Sequence, residues 1–188
     1  MVKNLTIPGS NASKLAGPRY TRPLLAGVMA TNNMKVTKLN EEYKPTSDRL
    51  GNIESLLGCR LPDSYRAFLI ENDWCMVEPC GFAIGYLPET NNMKTNDQVE
   101  AFYGLHEPDD EPSNLIWNYR CFSTSERIPK QLIAIGSTCG NQLCIGISGE
   151  YRGKIYWWSQ HFELEQESFE NCTLLADSFD SFLSQLRE

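Results

Sequence analysis

The chain has 188 residues, 41% of them hydrophobic, with 17 basic against 24 acidic side chains and a formal net charge of −7. That length suits one domain of ordinary size with or without a tail, and the apolar fraction is too high for a wholly disordered chain. No run approaches the roughly 18 apolar residues of a membrane span, and an acidic chain lacks the basic face that nucleic-acid phosphates demand.

Residues 1–44 hold seven basic side chains (Lys3, Lys14, Arg19, Arg22, Lys35, Lys38, Lys44) and two acids (Glu41, Glu42). Residues 45–188 are left with ten basic and 22 acidic side chains, a net of −12. The first piece is rich in Gly, Pro, Asn, Ser and Thr and lacks apolar periodicity, so it is expected to be a flexible basic extension, with Met29 and Met34 as alternative starts. Leu24–Ala30 behind Arg19 and Arg22 imitates a signal peptide, but Pro23 and Gly27 interrupt it. Seven cysteines, an odd number scattered through the chain, fit reduced thiols in a cytoplasm better than a disulfide scaffold.

Within residues 45–188, Leu50, Ile53, Leu56 and Leu57 share one helical face, with Ser47 or Asp48 as cap and Gly58 as stop. Pro62 opens a second helix striped by Leu61, Tyr65, Phe68 and Leu69. Phe82–Leu87 reads as a strand, closed by Pro88 and a polar stretch to Asp97. Val99–Tyr103 fits a short strand or a helical turn, and an acidic loop spans Glu107 to Pro112. Leu132–Ile135 and Leu143–Ile147 form two strands around a Gly140-Asn141 turn, and Lys154–Trp158 a third. Asp177 is placed to cap a final helix, whose Phe179, Phe182, Leu183 and Leu186 bury on the order of 6–12 kcal/mol of apolar surface before entropy. The expected class is α+β: an antiparallel meander flanked by two N-terminal helices and a C-terminal helix.

Leu61-Pro62-Asp63-Ser64-Tyr65-Arg66-Ala67-Phe68-Leu69 resembles the LPxxYxxFL segment of the SUKH superfamily (Smi/Knr-like domains), which takes in bacterial immunity proteins and a yeast glucan-synthesis regulator. The helix before it, Ile53–Gly58, fits the family's preceding helix. Arg127–Gly136 is similar to the family's IPxxLIPIG entry strand, and Gly140–Ile145 to the hairpin that follows. Gly153–Trp158 resembles the GxVYFW strand and Ala176–Leu183 the closing ADSFxxFL helix. The ordered set spans roughly residues 47–188 and is fairly specific. One departure stands out: the family often ends its second helix with Asn-Gly, where this chain has Asn72-Asp73-Trp74.

Catalytic and metal chemistry find little support. Cys75/Cys80 and Cys139/Cys144 form two equally spaced pairs, wider than a zinc knuckle usually has, and Cys144 lies among apolar strand residues, so no metal is expected. His106 and His161 sit in polar, loop-like contexts without a serine or cysteine elbow, and both read as surface histidines. Asp109-Asp110-Glu111 lacks the glycine and closing glutamate of a calcium loop. Neither a cofactor nor an enzymatic activity is expected.

What remains is surface. Two acidic clusters, Glu107, Asp109, Asp110 and Glu111, and Glu163, Glu165, Glu167 and Glu170, are either solvated loops or a field for a basic partner. Alternation along Ile155-Tyr156-Trp157-Trp158 leaves two roles for Tyr156 and Trp158, core or interface anchor on an open sheet face. The SUKH resemblance implies a cytoplasmic immunity protein of a bacterial polymorphic or contact-dependent toxin system. Such a protein binds and blocks a cognate toxin domain. A basic nuclease is the expected partner, since an acidic protein can occupy a phosphate-binding cleft. The expected contact residues are Asp109, Asp110, Glu111, Trp158, Glu163, Glu165 and Glu167. The alternative is a non-immunity scaffold or regulator of the Smi/Knr type.

Overall fold

A computed structural model describes residues 34–86, 94–160 and 168–188. Helix α1 (Ser47–Leu57) starts at Thr46, whose Oγ1 accepts the Arg49 N–H at 3.3 Å, and stops at Gly58 in the left-handed conformation, φ 65°. The cap thus falls one residue before Ser47. Leu50 and Ile53 are buried, whereas Leu56 points outward at the far edge of the stripe. Helix α2 (Asp63–Asn72) takes Pro62 as its cap residue and buries Tyr65 and Leu69.

Among the described residues eight strands follow the meander: β1 (Lys35–Lys38), β2 (Cys75–Glu78), β3 (Gly81–Tyr86), β4 (Lys94–Phe102), β5 (Leu132–Thr138), β6 (Asn141–Gly146), β7 (Ile155–Trp158) and β8 (Cys172–Ala176). Their order in the sheet is β1-β2-β4-β5-β6-β7-β8, with β3 paired to the first half of β4 and every pairing antiparallel. The fold is α+β. Part of the polar stretch before Asp97 is therefore strand, because β3 supplies the ladder that Lys94–Asp97 needs.

Residues 35–38, assigned by the sequence to the basic extension, form strand β1, and residues 1–33 lie outside the described residues. Val36 lies opposite Val77 in the β1–β2 ladder, and the Leu39 N–H donates to the Trp74 carbonyl at 2.9 Å. Exposed Lys35 and Thr37 alternate with half-buried Val36 and Lys38, and lysines at both ends of this edge strand protect it from further pairing.

Helices α2 and α4 (Phe179–Gln185) cover one face of the sheet. Their aromatic rings interlock edge to face: Tyr65 on Phe179 at 5.2 Å, Phe68 on Phe102 at 5.0 Å, Phe82 on Phe182 at 5.6 Å. Such pairs contribute about 0.5–1.5 kcal/mol each beyond their burial. Ser178, not Asp177, caps α4, its Oγ accepting the Ser181 N–H at 3.1 Å. The other face carries α3 (Leu115–Asn118), which runs on into a wider π-helical turn, Tyr119–Ser123. No helix among the described residues is long and apolar enough to cross a membrane.

Candidate functional site

The end of α2 sets the geometry of the surface above it. Asp73 adopts φ 52°, a conformation that costs a residue with a Cβ about 1 kcal/mol or more. Its N–H donates to the Leu69 carbonyl at 2.9 Å, and its carboxylate turns inward, 1% exposed. There Oδ1 accepts the Leu105 N–H at 2.5 Å, and Oδ2 lies 3.5 Å from Nδ1 of His106. His106 Nε2 in turn sits 2.9 Å from Ser113 Oγ, with the Trp74 ring stacked on the imidazole at 5.5 Å. A Cβ on Gly104 would stand 2.5 Å from the Asp73 carboxylate oxygen, so only glycine lets this loop come so close. His106 is thus a buried residue, 5% exposed, and not the surface histidine its polar neighbours suggest.

A second clamp comes from α1. Arg49 reaches the Leu105 carbonyl through Nε at 3.1 Å and Nη2 at 3.0 Å, and it pairs with Asp109 and with Glu107, the latter at 3.4 Å. Burial works against the guanidinium charge, but Asp109, Tyr43 and Glu107 beside it hold it more firmly protonated than usual. Tyr43 adds its own hydroxyl to the Leu105 carbonyl at 3.0 Å. At the far end Asn114 caps α3 through Oδ1, 2.7 Å from the Ile116 N–H, while its amide nitrogen donates to the His106 carbonyl. Asn118 donates to the Pro112 carbonyl at 2.8 Å. The acidic loop is therefore held at both ends. Asp109 is paired with Arg49 and only partly exposed, whereas Asp110 and Glu111 face solvent.

Beside the loop lies a cavity of about 490 Å³ on the α3 face of the sheet. Trp74 and Trp117 form its walls, Pro112 and Ser113 its lip. Tyr103 forms its floor and donates its hydroxyl to Gln142 Oε1 at 2.7 Å. Burial, with the charge of Glu100 among the lesser causes, pushes the Tyr103 phenol well above its ordinary range, so it remains a neutral donor.

The profile of the SMI1 / KNR4 family (SUKH-1) matches residues 44–185. This chain belongs to that family. It is also 28% identical, over 153 residues, to the SPbeta prophage-derived uncharacterized protein YokK of Bacillus subtilis (strain 168), an alignment that covers 75% of this chain and 74% of the relative.

In this SUKH-1 domain the aromatic residue at the surface is not Trp158. That ring is fully buried, edge-on to Phe122 at 5.9 Å, with the Arg127 guanidinium 5.7 Å from its centroid. The π-helical turn after α3 covers the sheet face that strand alternation left open. Trp74 and Trp117, both half-buried, take the surface role. In the sequence Trp74 stands only at the departure that follows α2, and Trp117 belongs to none of the expected elements. The available signal was Asn114 as a cap before Leu115-Ile116-Trp117, a short amphipathic turn with its apolar pair inward. Glu163, Glu165 and Glu167, with His161, lie outside the described residues. Exposed Glu170 falls within them.

The cysteines are all free, and among the described residues no group of three or more His, Cys, Asp or Glu could hold a metal ion. Cys75 is buried, its thiol pushed up to about 12, as is that of half-buried Cys172. Asp73, His106 and Ser113 stand in the acid–base–hydroxyl order of nucleophilic hydrolases. However, the N–H after the serine, a common oxyanion donor, is committed: Asn114 N–H donates to the Glu111 carbonyl at 2.8 Å. The arrangement fixes a loop.

Proposed function

We propose that this SUKH-1 domain is an immunity protein that binds and blocks the toxin domain of a bacterial effector, acting in the cytoplasm without cofactor or catalysis. The observation that carries this reading is the acidic loop 107–111, clamped by Arg49 and by the Asp73–His106 pair beside an aromatic-walled cavity. A clamped loop keeps its conformational entropy cost low on binding, since its shape is fixed beforehand. Exposed Asp110 and Glu111, with Glu107 at 70% exposure, present negative charge that steers a basic partner and raises its association rate. A nuclease toxin, whose cleft must hold phosphates, has the complementary charge. Inhibition is then occlusion of that cleft, one protein to one toxin.

The test is capture of the tagged protein with candidate effector C-terminal domains, read by native mass spectrometry at low and high salt. A salt-sensitive one-to-one complex with loss of toxin activity is the expected result. Several substoichiometric partners, with no toxin neutralised, would instead identify a scaffold.

A further inference from the structure

We propose that the cavity between Trp74 and Trp117 is a receptor for one cationic side chain, an arginine or lysine on an exposed segment of the partner protein. The proposal deepens the binding reading above and rests on it for the partner's identity. Its volume, about 490 Å³, is that of a small-ligand pocket and admits a long unbranched side chain.

Three observations select a cation over an apolar group. Two indoles, Trp74 and Trp117, line the cavity, and indole π clouds attract guanidinium and ammonium groups. The Trp74 ring is stacked on His106, so one of its faces is already covered and its orientation is fixed. Acidic residues neighbour the cavity: exposed Asp110 and Glu111 immediately precede Pro112 of its lining, and exposed Glu100 is close enough to act electrostatically on Tyr103. The same sheet face already holds one such contact within the chain, since Arg127 lies 4.9 Å from the centroid of Phe122, which also lines the cavity. Apolar walls bury the stem of a basic side chain, while its charge meets the rings and the nearby carboxylates.

The walls thus supply fit, and the charge supplies selection. A neutral isostere such as citrulline keeps the shape, exchanges one donor group for an acceptor oxygen, and forfeits the charge attraction to the rings and the nearby carboxylates. A desolvated cation–π contact together with that carboxylate charge corresponds to roughly a tenfold or greater preference for the charged form.

The experiment titrates the full chain with a blocked Gly-Gly-Arg-Gly-Gly peptide and with its lysine, citrulline and norleucine versions. The readout is the indole N–H resonances, with buried Trp157 and Trp158 as internal references. Arginine and lysine peptides are expected to shift Trp74 and Trp117, with affinity falling as salt rises, and citrulline to bind roughly tenfold more weakly or worse. Glu111→Lys, an exposed substitution, should weaken the arginine peptide several-fold with the fold intact, and Trp117→Ala should abolish its binding. Equal binding of citrulline or norleucine would overturn the proposal in favour of an apolar groove. Absence of any shift, or shifts that follow protein concentration without peptide, would overturn it as well, the latter pointing to a second copy on this face. The toxin capture remains a separate readout. A toxin held equally by wild type and Trp117→Ala removes the cavity and leaves the immunity reading standing. Peptide binding without any captured toxin does the reverse.

Discussion

Asp73 offers the sharpest test, because two opposed effects of known size meet at one residue. Asp73→Gly removes a Cβ from φ 52° and so relieves about 1 kcal/mol of backbone strain, but it also frees the unfolded chain by a similar amount. Against that near-cancellation, the fully buried Leu105 N–H loses a charged acceptor, a loss of about 1.5–3 kcal/mol. The net expectation is a loss of about 2 kcal/mol, or a fall in urea midpoint of about 1 M at a slope near 2 kcal/mol/M. Asp73→Ala keeps the strain that the wild type already carries and loses the same acceptor, so it should also cost about 2 kcal/mol. Asp73→Asn retains a neutral carbonyl acceptor and should cost about 1 kcal/mol. Equilibrium urea unfolding followed by tryptophan fluorescence, with the slope checked for constancy, gives the order. If the glycine variant equals or exceeds the wild type in stability, backbone strain dominates and the argument for the carboxylate network is refuted.

Arg49→Met should loosen the acidic loop without unfolding the sheet. Hydrogen exchange at the Asn114 amide, bonded to Glu111, is expected to speed up by about tenfold or more, and unchanged protection would mean that Arg49 does not hold the loop. Alkaline pH should destabilise the protein, because thiols at Cys75 and Cys172 are raised from 9.0 to about 12 on folding. The stability from keeping them neutral is complete below the unfolded value and lost as pH rises toward the folded one. Between pH 9 and 12 each should contribute a slope of about 1.4 kcal/mol per pH unit, which Cys75→Ala should reduce in pH-dependent unfolding. Native-state thiol titration should find Cys139, the exposed thiol, and miss Cys144 until the protein unfolds. A fluorophosphonate probe should leave Ser113 unlabelled, and a covalent adduct there would sink the binding-only reading.

Much of this molecule is written locally. Helices α1, α2 and α4 follow from apolar spacing and from Gly58, Pro62 and the Ser178 region as punctuation, and β3, β5, β6 and β7 from runs of apolar, often β-branched or aromatic residues between turns. The ordered motifs from Leu61 to Leu183 carry the family. Strands β1, β2 and β8 were not legible in the same way: Lys35-Val36-Thr37-Lys38 and Cys75-Met76-Val77-Glu78 become strands because they pair with each other across the chain. A four-residue segment has too little pattern of its own to declare this.

The site divides along the same line. An acidic loop at Glu107–Glu111 is visible in the sequence, because charge is a property of residue type. Which of its carboxylates is free is not, since the partner of Asp109 is Arg49, 60 residues away. Likewise alternation assigns Trp158 to a face, but only the docking of α3 and its following turn decides that this face is covered there. It decides also that the opening falls farther along, between Trp74 and Trp117. Residue type and spacing fix local conformation and net charge. Exposure and pairing depend on what the rest of the chain brings into contact, and that information is held in the tertiary structure alone.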